Sequence, residues 1–141
     1  MELQRLLELG QKEVGTLKEF LCVLDAERES IMSFSLDGIV RENNKKEEIL
    51  KRLEYLEVEK DKMFLSASDR AALTETEAWV TLSEEMQENV KQVRTALEKN
   101  MKLLSFSMDH VKTSLERVVG FINRSTYDKG RSISVMISRE V

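Results

Sequence analysis

One stripe of apolar residues constrains this chain more than any other feature. Between Met86 and Ile122, apolar side chains stand at Met86, Val90, Val93, Leu97, Met101, Leu104, Met108, Val111, Leu115, Val118 and Ile122. The steps alternate four and three residues, with one repeated four between Leu97 and Met101. That alternation follows the helical period, so all of these residues share one side of a single long helix. The repeated four reads as a stutter, a local phase change that keeps the stripe facing its neighbours. At about 1.5 Å per residue such a helix is roughly 55 Å long. It cannot bury its stripe alone, so the rest of the chain is expected to cover it.

The composition agrees. Among 141 residues there is no proline, 34% are charged and only 6% are aromatic. Long helices tolerate that mixture and sheets do not favour it. The expected fold class is all-α: an elongated antiparallel coiled-coil-like bundle of three long helices, with a short connecting helix and a C-terminal tail. The expected organisation is one helical bundle domain over residues 1–124, with helices at about 3–32, 36–63 and 83–122. A short helix is expected at about 70–79, and residues 125–141 form a flexible or docked tail.

The first helix carries Leu3, Leu7, Gly10, Val14, Leu17, Leu21, Leu24, Arg28 and Ile31 at heptad-like spacing. Gly10 and Gly15 weaken its first half by about 1 kcal/mol each relative to alanine, so that end is expected to fray. Ser35 is placed to cap the second helix, with Asp37 in its first turn. The short break at 33–35 implies an antiparallel hairpin. In the second helix Ile49, Leu50, Leu53, Leu56 and Met63 form the seam, while Asn43 and Lys46 are polar residues expected to face it. Thr81 and Glu84 have the spacing of a capping box for the long helix. Trp79 is expected to plug the end of the hairpin. Beside the main stripe of the long helix lie Asn100, Ser107 and Ser114, then Leu103, Phe106, His110 and Phe121. This second face either packs on the earlier helices or stays open for a partner's helix. After Ile122 the helical pattern stops. Gly130 suits a turn, and Ile133, Val135 and Ile137 alternate with Ser134, Met136 and Ser138.

Catalytic readings find little support. One His and one Cys, far apart in sequence, cannot assemble a zinc site of ordinary spacing. No glycine-rich phosphate loop follows a strand. No catalytic, cofactor-binding or metal-binding residues are assigned, and no cofactor is expected. Cys22 is expected to be a small buried hydrophobe and His110 a partly exposed face residue. The net charge of −4 without a dense basic cluster disfavours nucleic acid and anionic membrane. No run approaches eighteen apolar residues, so no membrane insertion is expected. A single cysteine and no leader segment point to the cytoplasm.

Three stretches together resemble the FlgN family of flagellar export chaperones. Leu24, Glu27, Arg28, Glu29 and Ile31, followed by Ser35-Leu36-Asp37, are similar to the family's L..ERE.L and DL pattern, and Lys46-Glu47-Glu48-Ile49-Leu50 with Leu53 to its K.ELL..L. Asn100, Leu103, Leu104, Ser107, Met108 and Val111 resemble N..LL..SL..V. Tyr127-Asp128-Lys129-Gly130-Arg131 resembles the YD..G turn after the last helix. The glycine pair in the first helix and the aliphatic tail after Arg131 depart from the family's pattern. The resemblance implies a cytoplasmic bacterial chaperone that binds the carboxy-terminal helical segment of the hook-filament junction proteins FlgK and FlgL. It would deliver them to the flagellar type III export apparatus, using no nucleotide or metal. Helix-in-groove binding suits such a cargo. The candidate partner-binding residues are Val118, Val119, Phe121, Ile122, Tyr127 and Ile133, with Asp128, Gly130 and Arg131 of the turn. A coiled-coil adaptor that oligomerises through the same stripe is the alternative, and a homodimer stays open on either reading.

Overall fold

The computed structural model describes residues 2–125. Among these the chain is all-α, with α1 (Glu2–Met32), α2 (Leu36–Ser66), α3 (Arg70–Thr74) and α4 (Glu77–Ser125) in order. Two structural units meet between Leu103 and Leu104. The first holds α1, α2, α3 and α4 up to Leu103. The second begins with the remainder of α4.

The turn between α1 and α2 is built by local hydrogen bonds. The Ser35 amide donates to the Ser30 carbonyl at 2.8 Å and the Phe34 amide to the Ile31 carbonyl at 3.1 Å. These are the two bonds of a Schellman ending. The left-handed position is held by Phe34 at φ 55°, where an L side chain costs roughly 1–2 kcal/mol relative to its right-handed conformation. Ser35 then caps α2 as the sequence predicts, its hydroxyl accepting from the Gly38 amide at 3.2 Å.

Antiparallel register between α1 and α2 is fixed by charge. Glu13 of α1 pairs with Lys60 of α2 at 3.1 Å, Glu19 with Arg52 at 2.9 Å, and Glu27 with Lys46. From Glu13 to Glu27 and from Lys60 to Lys46 the chain advances by two heptads in opposite directions, as an antiparallel coiled pair requires. Glu13 and Glu27 are buried. Burial pushes the Glu13 carboxyl above the ordinary glutamate range, against the opposing pull of Lys60. The exposed Glu19 carboxyl is instead held lower, by the two hydrogen bonds of the Arg52 guanidinium.

These acids explain why the buried face of α1 differs from its apolar stripe. Leu6 and Phe20, absent from that stripe, are among the most buried side chains, whereas Arg28 is exposed. The face that α1 presents to two helices includes Glu13, Thr16, Glu27 and Ser30, and these polar residues conceal its phase. Cys22 falls on the outward side and is exposed, contrary to expectation. On α2, Asn43 and Leu50 also turn outward, while the unforeseen Glu42 is buried.

The second hairpin corner starts α4 earlier than the sequence suggests. Asp69 caps α3, accepting from the Ala72 amide at 3.1 Å, and that helix ends at Thr74 rather than 79. The Thr76 hydroxyl accepts from the Trp79 amide at 3.3 Å, so α4 opens at Glu77 and not near 83. Thr81 and Glu84 therefore lie inside the helix and cap nothing. Trp79 packs edge-on to Phe64, ring centroids 5.9 Å apart, in a core cluster with Leu6, Val14, Leu82 and Met86. A second cluster joins Leu17, Phe20, Leu24, Ile49 and Val93. In this unit α4 runs parallel to α1, since Leu82 lies beside Gly10 and Asn100 beside Leu24.

Gly10 admits Leu82 and Trp79 of α4 close against α1. A Cβ there would stand 2.6 Å from Leu82 Cδ2 and 3.3 Å from Trp79 Cζ3, whereas one at Gly15 would meet nothing within 4 Å. Both glycines cost about 1 kcal/mol in helix propensity, but only Gly10 repays it by admitting a neighbour. Chemical denaturation should therefore show Gly15→Ala gaining about 0.5–1 kcal/mol. Gly10→Ala should gain nothing and lose up to about 2 kcal/mol, because overpacking a filled core costs about 1–3 kcal/mol and the regained propensity offsets about 1. A gain at both positions would contradict the close approach.

Candidate functional site

Along α4 the buried residues are Trp79, Leu82, Met86, Asn89, Val93 and Asn100. Their spacing is heptad-like, and two core positions are taken by asparagine. Apolar residues placed in the stripe by sequence spacing, Val90 and Met101, turn outward instead. The Asn89 side-chain amide donates to the Glu85 carbonyl of its own helix at 2.8 Å. Asn100 reaches across. Its amide nitrogen donates to the Leu24 carbonyl at 2.9 Å and to Glu27 Oε1 at 3.0 Å. Glu27 Oε2 receives the Lys46 ammonium, so α1, α2 and α4 meet at one carboxylate.

Asn100 is also the last buried residue among those described. From Met101 to Arg124 none is buried, although the helix continues and its apolar spacing continues with it. In the second unit Leu104, Met108, Val111, Leu115, Val118 and Ile122 follow steps of four and three, so they form one face. Met108, Val111 and Val118 of this face, with Phe121 at its flank, keep 53–64% of their surface exposed, and Phe106, across the helix from them, keeps 70%. Monomeric proteins seldom leave so many large apolar side chains together in water, and such patches mark interaction sites.

The glutamate, lysine and asparagine that meet at this junction come from sequence stretches far apart in the chain. A family model described as FlgN protein matches residues 1–133. The chain belongs to the FlgN family. FlgN proteins are flagellar export chaperones, and an exposed helical face is the kind of surface a chaperone offers. No curated protein and no solved structure matches the chain. Among the described residues no helix is long and apolar enough to cross a membrane.

Of the residues expected to bind a partner, Val118 and Phe121 are exposed, and Val119 and Ile122 are half-buried. Tyr127, Asp128, Gly130, Arg131 and Ile133 lie outside the described residues. The exposed face is wider than that set. Met101, Met108 and Val111, which the spacing places in the covered stripe, stand in solvent, and Phe106 shows that the second face is open at its position. Helix length carries the missing signal: α4 has 49 residues against 31 in each of α1 and α2.

This division between core and open face has a measurable consequence. Val111→Ser and Val118→Ser should change unfolding free energy by no more than about 0.5 kcal/mol, as surface substitutions do. Val93→Ser, in the second core cluster, should cost about 2–4 kcal/mol. Equal costs at Val93 and Val111 in a urea titration would mean that the second half of α4 is core.

Proposed function

We propose that this FlgN protein acts in the bacterial cytoplasm and uses the second half of α4, with Tyr127, Asp128, Gly130, Arg131 and Ile133 beyond it, to receive cargo. The cargo is the carboxy-terminal helical segment of the junction proteins FlgK and FlgL, held soluble until the type III export apparatus takes it. One observation carries this reading: the helical apolar face continues past Asn100 with no buried residue among those described. An amphipathic segment that packs only in the assembled filament is disordered beforehand, and it gains a partner by laying its own apolar face on such a helix.

The magnitudes favour a releasable complex. Burying a large aliphatic or aromatic side chain is worth about 1.5–3 kcal/mol, so Met108, Val111, Val118 and Phe121 together supply a gross gain of about 6–12 kcal/mol. Ordering the cargo consumes about 2–5 kcal/mol. Lost rigid-body freedom consumes several kcal/mol more, so additional contacts from the cargo's ends are needed to reach about micromolar affinity. A chaperone that must surrender its client benefits from that narrow margin.

Titration with carboxy-terminal peptides of FlgK and FlgL tests the assignment. Phe121→Ala should weaken binding about tenfold or more, as loss of an aromatic anchor does, while Cys22→Ser on the other unit should leave it unchanged. Equal affinity for wild type and Phe121→Ala would remove Phe121 from the site. A stable homodimer that excludes the peptides, seen by light scattering, would replace the cargo reading with the adaptor.

A further inference from the structure

A second surface, within the first unit, is built differently from the open half of α4. It is the groove between α2 and α4, closed below by Glu13 of α1. Its floor is the edge-on pair Phe64 and Trp79 together with Met86. Its wall is Val90, 42% exposed although it is a β-branched aliphatic residue on a packed helix. Its acids are largely held by Lys60, which meets Glu13 Oε2 at 3.1 Å and Glu57 at 3.0 Å, and Glu13 Oε1 is buried without a hydrogen-bond partner among the described residues. Two of its cations are not held. Lys91 and Arg94 stand exposed on the rim, three residues apart on α4, and neither side chain is in an ion pair or hydrogen bond among the described residues. At the end of the groove Arg70 lies over the Phe64 ring, 4.9 Å from its centroid, and has no ion pair among the described residues.

This arrangement runs against the charge around it. Residues 1–103 carry sixteen Lys and Arg against twenty-two Asp and Glu, a net charge of −6. The facing groove on the other side of α4, between α4 and α1, is lined by Glu77 and Glu85. Of the charged residues that α4 lends to the two grooves, Lys91 and Arg94 line the first and Glu77 and Glu85 the second. At physiological ionic strength charges more than about 8 Å apart are largely screened, so the rim and not the net charge decides what can approach.

We propose that the α2–α4 groove is a second docking surface that takes an acidic amphipathic helix from a partner protein. The guest's apolar stripe lies on Phe64, Met86 and Val90, and its carboxylates lie against Lys91 and Arg94. A helix fits better than an extended strand because the groove runs between two helices, where side-chain ridges of a third can interdigitate. Carboxylates three or four residues apart on the guest match the three-residue spacing of Lys91 and Arg94. The surface does not depend on the cargo reading, since none of its residues lies beyond Arg94.

A labelled, capped peptide of about fourteen residues tests this, with glutamates at i and i+3 flanking leucine and phenylalanine. Fluorescence anisotropy on the full chain should show saturable binding, and emission from Trp79, the single tryptophan, should shift with the same midpoint. A peptide with lysine in place of glutamate should bind at least tenfold more weakly. Lys91→Glu combined with Arg94→Glu should weaken the acidic peptide at least tenfold with far-ultraviolet dichroism unchanged. Val90→Ser should weaken it severalfold with every charge in place, and Phe121→Ala should have no effect. No saturable binding, or equal binding by the double variant, would overturn the proposal. So would competition by a short oligothymidylate as effective as the peptide, which would make the rim a general anion surface. Loss of binding in Phe121→Ala would assign the peptide to the other half of α4 and overturn it as well.

Discussion

The carboxylate of Glu27 is the constraint on which the rest of the first unit depends. A buried carboxylate must be answered on both oxygens or the fold pays for its desolvation. Here one oxygen takes the Asn100 amide of α4 and the other the Lys46 ammonium of α2. One residue of α1 thus fixes the level of two other helices. The alternatives are costly in a way the sequence makes explicit. Sliding α2 by one heptad would set Glu27 opposite Ile39 or Leu53, and Glu13 opposite Leu53 or Ala67. Each stranded charge would cost roughly 3–5 kcal/mol. Apolar packing alone would not discriminate so sharply, because leucines and isoleucines recur at every heptad. The polar junction therefore specifies register, whatever its net contribution to stability.

The same junction separates two uses of one helix. Up to Asn100, α4 spends its apolar side chains on the core clusters around Trp79 and Val93. After Asn100 the pattern of apolar residues is unchanged, but none of the described residues is buried. Nothing in the local sequence marks this transition: no proline or glycine interrupts the helix between 101 and 119, and helix propensity stays high. What changes is whether the apolar face is covered. An open helical face made this way needs no partner to form, because α4 is secured through its first half. The hydrogen bonds of the helix itself keep the second half in shape.

How much of this could be read from residue order varies by element. The α1–α2 turn was legible because Ser35 caps α2 through a local hydrogen bond that sequence spacing specifies, with Asp37 in the first turn. The start of α4 was not. Thr76 and Thr81 are both acceptable caps, and the choice between them was made by Trp79, whose place in the core requires it to be helical. The buried face of α1 was half legible, since Glu13 and Glu27 read as solvated until Lys60 and Lys46 are brought to them. Gly10 read as a flaw for the same reason: the benefit lies in Leu82, seventy-two residues away. The stripe of α4 was visible along its whole length, but its division into covered and open halves depends on tertiary contacts that periodicity does not encode.

The account stands on the claim that the apolar face after Asn100 is free in the unliganded protein and becomes covered by cargo. Thiol labelling measures this directly. In a Cys22→Ser background, which removes the exposed native thiol, Val111→Cys should react with a maleimide at the rate of an exposed cysteine. Saturating FlgK or FlgL carboxy-terminal peptide should slow it at least about tenfold, a change equivalent to roughly 1.4 kcal/mol of protection. Val93→Cys should be slow throughout. If Val111→Cys is as slow as Val93→Cys before any peptide is added, the chain covers this face itself and the central claim fails.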